Sequence, residues 1–290
     1  MPENTLPPLR DVLASIARSP RAAAVAAEAH RIAALYDARV AYVHAGDDTP
    51  DTRADLTRLL DSAGITSAQL DIVDAGASRT VCRMAEERDV DLVVAGALEK
   101  EGALEYYVGS IARKIARKAP CSVLLLTSPT LPPEPFRTIV ITIDPDDSSR
   151  EALLFAIDLT RREKAELHVV YEYELAGLRQ GLEGTLDIRG EEHLLDSLHA
   201  EEEYRLVTWL DTFDLEGVTL RRACLHGRKG FECVGYARRV HADLLIFPTP
   251  VRKLGLWDKI FPHDVEFALQ YLPCACMLYR PRGATSARED

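Results

Sequence analysis

The chain has 290 residues, 47% of them apolar and 28% charged, a globular mix that excludes a wholly disordered or low-complexity protein. Acidic residues outnumber basic ones by 46 to 35, so the net charge is −11, which excludes a broad nucleic-acid surface but leaves room for a local phosphate site. This length predicts one large or two ordinary domains, with a core that needs no disulfide or metal staple.

The N-terminal Met1 to Leu9 has no basic region and no apolar core, and no apolar run approaches the ~18–20 residues that span a bilayer. A soluble, cytoplasmic protein with no membrane partner is expected. Asp11 to Ala17 opens the first half as an apolar run. Ser19 and Pro20 then read as helix cap and first helical position, with the helix over Ala22 to Tyr36 and a strand over Arg39 to His44. Further on come a helix over Arg79 to Arg88, a strand over Val90 to Gly96, and a last strand within Ala119 to Leu126. Four prolines in Ser128 to Phe136 forbid a helix and predict an extended connector. It divides the chain into domains 1–130 and 134–290.

The second half repeats the plan. Arg137 to Asp144 is a β-branched run ending on an acid, and Asp146, Asp147, Ser148 and Ser149 supply cap chemistry for a helix through Glu151 to Thr160. Glu166 to Tyr171 is the next strand. A helix over Phe231 to His241 leads into Ala242-Asp-Leu-Leu-Ile-Phe-Pro248, which matches Val90-Asp-Leu-Val-Val-Ala-Gly96. Leu272-Pro-Cys-Ala-Cys-Met-Leu-Tyr279 matches Ala119-Pro-Cys-Ser-Val-Leu-Leu-Leu126. Each half therefore reads β-α-β-α-β-α-β-α-β, which implies an α/β fold of two tandem Rossmann-like domains, each a five-stranded, mostly parallel sheet flanked by helices. Ligands of such sheets sit beyond the carboxyl ends of the strands. The last strands, Val123 to Leu126 and Cys276 to Tyr279, suit pairing along a shared edge.

The stretch Gly96-Ala-Leu-Glu99 followed by Gly109-Ser110 carries the most chemistry. A strand ends at Gly96 and a helix opens at Gly109-Ser110, where unpaired N–H groups can take a phosphate; equally, Ser110 can serve simply as a helix cap. This spacing resembles the Gly-x-x-Gly-x9-Gly-Ser/Thr motif of the universal stress protein family, as does the Pro-Cys that precedes each final strand. The resemblance spans both halves. It implies a non-catalytic stress-response protein of a family in which many members bind ATP or AMP and others bind no nucleotide; a nucleotide would be contacted at Gly96, Gly109, Ser110 and Ile111 and, in the second half, at Asp144. It also implies association through the last strand, so that the two halves form an internal pseudo-dimer, with a homodimer of two chains expected beyond that.

Neither half carries the whole pattern. Ala17 replaces the first-strand acid and Glu99 the second motif glycine; in the second half Asp144 fits, but Pro248 stands for Gly96 and Pro262-His263 for Gly109-Ser110. Prolines lack the N–H that a phosphate would use, and a carboxylate at 99 repels one. Weak or lost nucleotide binding is therefore the expectation. Asp144 can alternatively cap the helix that follows it.

Other constellations give alternatives. Asp144-Pro-Asp146 resembles the Asp-x-Asp of haloacid-dehalogenase-type phosphatases, so a nucleotide hydrolase or phosphatase built on Asp144 is the enzymatic alternative. His193, Asp196 and His199 share a helix and could bind zinc, although a solvated acidic helix is the simpler reading, and no metal is expected. Arg113, Lys114, Arg117 and Lys118 read as a solvated helix face. His226-Gly-Arg-Lys-Gly230 lacks the ending of a phosphate-binding P-loop. The six cysteines form no Cys-x-x-Cys pair and read as reduced, mostly buried thiols. The glycine-rich stretch Gly177 to Gly190, within a 177–203 insertion, could dock an unknown protein partner. The tail from Pro281 to Asp290 reads as disordered.

Overall fold

The computed structural model describes residues 6–99, 107–174, 188–249 and 263–281. The loop before Tyr107, the glycines at 177, 181 and 184, the 250–262 connection and nearly all of the tail lie outside the described residues.

The first half runs β1 (Asp11–Ser15), α1 (Ala22–Leu35), β2 (Arg39–Ala45), α2 (Pro50–Ser62), β3 (Gln69–Val73), α3 (Ala77–Glu87) and β4 (Leu92–Gly96). A short hairpin, β5 (Leu98–Glu99) with β6 (Tyr107–Val108), leads to α4 (Ser110–Lys118) and β7 (Ser122–Leu126). The second half runs β8 (Thr138–Ile143), α5 (Asp147–Glu163), β9 (Glu166–Tyr173), α6 (Ile188–Leu210), β10 (Thr219–His226), α7 (Glu232–Arg239), β11 (Leu244–Pro248), α8 (His263–Gln270) and β12 (Ala275–Tyr279).

The five main strands of each half are parallel, in the order β3-β2-β1-β4-β7 and β10-β9-β8-β11-β12. The two sets form one ten-stranded sheet. β7 and β12 pair antiparallel, Leu125 with Cys276, Leu124 with Met277 and Val123 with Leu278. The edge pairing expected of the last strands thus occurs inside one chain.

Strands covered on both faces are apolar at successive positions, because side chains alternate between the faces. On one face Ala14, Val94, Leu124, Ile141 and Ile246 pack with buried residues of α1 and α5. On the other, Leu13, Val93, Leu125, Val140 and Leu278 pack with buried residues of α4 and α7. Both cores run across the β7–β12 seam. Other contacts tie the halves together: Arg31 to Glu163 at 2.6 Å, Tyr36 stacked on Phe155 at 6.0 Å, and Arg117 to Glu266 at 3.0 Å. Arg280 is buried and donates to the carbonyls of Ala116, in the last turn of α4, and of Cys121, just before β7.

The helix α1 starts at Ala22 as expected, but Ser19 and Pro20 are not its cap and first position: they form a tight turn with Arg21, in which Ala22 N–H donates to Ser19 O, and Arg21 is the cap residue. All six cysteines are free; Cys121, Cys233, Cys274 and Cys276 are buried, whereas Cys82 and Cys224 are partly exposed. Burial pushes the thiols of Cys121 and Cys274 up to about 12, which keeps them protonated at neutral pH. Among the described residues no helix is long and apolar enough to cross a membrane.

Candidate functional site

Two aspartates fix how the halves correspond. Asp91 Oδ2 accepts from the N–H groups of Arg10 (2.6 Å) and Asp11 (2.9 Å). Asp243 Oδ2 accepts from Arg137 (2.8 Å) and Thr138 (2.9 Å). Each carboxylate satisfies two backbone donors where the neighbouring central strand begins. Counting on from these pairs, Ala17 corresponds to Asp144 and Gly96 to Pro248. Strand register places the extra length of the second half. Ala41 and Gln69 pair in one copy where His168 and Arg221 pair in the other, so spacing grows from 28 to 53 residues between the second and third strands. One further residue enters before the last strand, since Leu92 pairs with Ser122 but Leu244 with Ala275. With that residue allowed for, the start of α8 at His263 matches the start of α4 at Ser110.

In the first half the structure brings the motif residues to the carboxyl end of β4. Ala97 N–H donates to Leu126 O at 2.8 Å and Gly109 N–H to Ala97 O at 2.7 Å, which pins the start of α4 beside the end of β4. Gly109 occupies the cap position and no side chain caps the helix. The reading of Ser110 as a cap is therefore corrected: it is the first helical residue, and it is exposed. Ile111 is 44% exposed despite being apolar. A Cβ on Gly96 would meet only Val25 Cγ2, at 3.5 Å, an ordinary contact, so packing does not require glycine there.

In the second half a cavity of about 220 Å³ opens at the carboxyl ends of β8, β9 and β11. Its lining includes Ile143, Asp144, Glu172, Lys229, Phe247 and Val265. Lys229 Nζ lies 2.6 Å from Asp144 Oδ1. The Asp144 N–H donates to Ser149 Oγ at 3.0 Å, but the helix cap is Asp146, whose carboxylate accepts from Ser148 N–H at 2.9 Å. The capping alternative for Asp144 is thus corrected: its carboxylate faces the cavity and pairs with Lys229.

Glu172 is 3% exposed. Its carboxylate accepts from Gly230 N–H (3.0 Å), Cys233 N–H (2.8 Å) and Thr142 Oγ1 (3.3 Å). Burial raises its pKa, and the backbone N–H groups of Gly230 and Cys233 oppose that shift. Sequence reasoning missed Glu172, Thr142 and Lys229. Ala45 and Ala77 hold the places of Glu172 and Lys229 in the first copy, so no repeated motif marks them.

The remaining candidates resolve individually. His199 Nδ1 and Tyr173 Oη share a hydrogen bond of 2.7 Å, although His199 is exposed. Among the described residues no group of three His, Cys, Asp or Glu is placed to hold a metal ion. Arg117, expected on a solvated face, bridges to Glu266 of the other half. Cys274 and Cys276 are buried in one core.

A duplicated parallel α/β unit with its candidate sites beyond the strand ends defines a tandem protein of Rossmann-like architecture. The sequence profile of the universal stress protein family matches residues 53–127 and 135–256, and the chain belongs to that family. The matched strands extend the first copy back to β1, before residue 53. Among solved structures, the fold is similar to a functionally unknown protein of Pseudomonas aeruginosa PAO1, with a TM-score of 0.70 and 17% identity over 94% of this chain and 93% of that one. It is also similar to a universal stress protein of Archaeoglobus fulgidus, with a TM-score of 0.59 and 9% identity over 94% and 98% of the two chains. No curated protein matches the sequence.

Proposed function

We propose that this protein is a non-catalytic, cytoplasmic member of the universal stress class whose first half holds ATP or AMP weakly. Gly96, Gly109, Ser110 and Ile111 form the contacts. The observation that carries this reading is the uncapped start of α4, pinned by the Gly109–Ala97 bond against the end of β4. Such a helix start offers backbone donors and a positive dipole end to phosphate oxygens. Ala17 supplies no acid for the rest of the nucleotide and Glu99 adds a negative charge to the loop, so the affinity is low.

Glu99→Gly is expected to tighten ATP binding about fivefold, equivalent to removing one like-charge contact of about 1 kcal/mol in water. Titration calorimetry reads this directly, and an unchanged affinity would mean that the cradle is misassigned. No phosphate release from ATP or a generic phosphomonoester is expected, with Asp144→Asn as the control for the hydrolase alternative. The last strands are paired within the chain, so a homodimer of two chains has to use another surface.

A further inference from the structure

The second-half cavity is built differently from the first-half cradle, and the difference has a chemical direction. Two backbone donors at the start of α7 are already taken: the Gly230 and Cys233 N–H groups both point at the internal carboxylate of Glu172. Pro248, at the end of β11, has no N–H to give. Lys229, the cation of the described lining, is neutralised by Asp144 at 2.6 Å. A phosphate drawing Lys229 away would lie beside an unpaired Asp144. Ile143, Phe247, Pro248 and Val265 give one side that suits an apolar or flat ligand body, and Ser148, Ser149 and Thr249 add hydroxyl groups to the lining.

We propose that this cavity binds an uncharged, hydroxyl-bearing small molecule and turns phosphorylated ones away, with the ligand hydroxyls displacing Lys229 from Asp144. A vicinal diol donates two O–H groups to a carboxylate and so replaces the departing ammonium. Lys229 is 38% exposed on a flexible stem, so its released charge can be solvated at once. The site belongs to the other half of the chain, and the proposal does not depend on the nucleotide reading.

The test is titration calorimetry of the full chain with adenosine, ribose, AMP and inorganic phosphate. Thermal melts would verify that each variant is folded. The better uncharged probe is expected to bind at least tenfold tighter than any Asp144-dependent binding of AMP. Asp144→Asn should weaken that probe at least tenfold, and Lys229→Met, which removes the competitor, should tighten it about threefold. AMP held only in the first half responds to neither substitution, so the two sites separate, and failure of the first-half cradle appears as absent ATP binding alone. The proposal is overturned if neither uncharged probe binds. It is equally overturned if Lys229→Met abolishes binding of AMP or phosphate, because the lysine would then be a phosphate ligand.

Discussion

Replacing Arg31 by methionine is expected to destabilise the protein by about 3–5 kcal/mol at neutral pH, the usual cost of leaving buried charges without their partner. Arg31 reaches Glu28 at 2.7 Å and Glu163, from the other half, at 2.6 Å, and these carboxylate side chains are only 6% and 2% exposed. The guanidinium also stacks over Phe136 at 5.2 Å, and methionine retains part of that apolar contact. Burial raises the Glu163 pKa above its ordinary 4.5; the Arg31 bond and the Phe136 N–H pull it down, while Glu28 adds to the rise.

The sign of the pH dependence follows from that raised value. The folded state holds the Glu163 proton to higher pH than the unfolded chain does. The associated stability is present below the unfolded value and is lost as pH rises through the folded one. Without Arg31 the folded value climbs further, so the deficit of the variant is largest at neutral pH and shrinks on acidification toward 4.5. Urea unfolding of both proteins between pH 5 and 8 measures this. A deficit that stays flat across the range would sink the account, and adding Glu163→Gln to the variant should restore part of the loss.

Leu124→Ala is expected to cost about 2–5 kcal/mol, as for other large-to-small changes in packed cores. Leu124 is fully buried and faces Met277 across the seam. Because both cores continue from one half into the other, calorimetry should show one transition that moves as a whole to lower temperature. Two separate transitions, with only the first displaced, would show instead that 1–130 and 134–290 unfold as independent domains.

The repeat was legible in the sequence because it is written locally. Alternating apolar runs, Pro-Cys before each last strand and the Asp-Leu pairs that open the fourth strands all lie within short windows. The start of α4 at Gly109-Ser110 was legible for the same reason. Glu172 and Lys229 were not, since Glu172 meets Gly230 across 58 positions and Lys229 meets Asp144 across 85, and the stretch around Lys229 attracted notice only as a failed phosphate loop. Arg31 and Glu163, 132 positions apart, belong to different halves, and no pattern within either half connects them. Ser19 and Pro20 were misread as the cap and first position of α1 because Ser-Pro can open a turn as readily as a helix.

The antiparallel join at β7 and β12 has a consequence for how the molecule meets its surroundings. Strands of the first half run toward one rim of the sheet and those of the second half toward the opposite rim. The cradle at Gly109 and the cavity at Asp144 therefore open in opposed directions, separated by at least the length of a strand, roughly 17 Å for five residues. No small molecule can touch both. The two candidate sites lie back to back, and a macromolecule that touched both would have to reach around the slab between them.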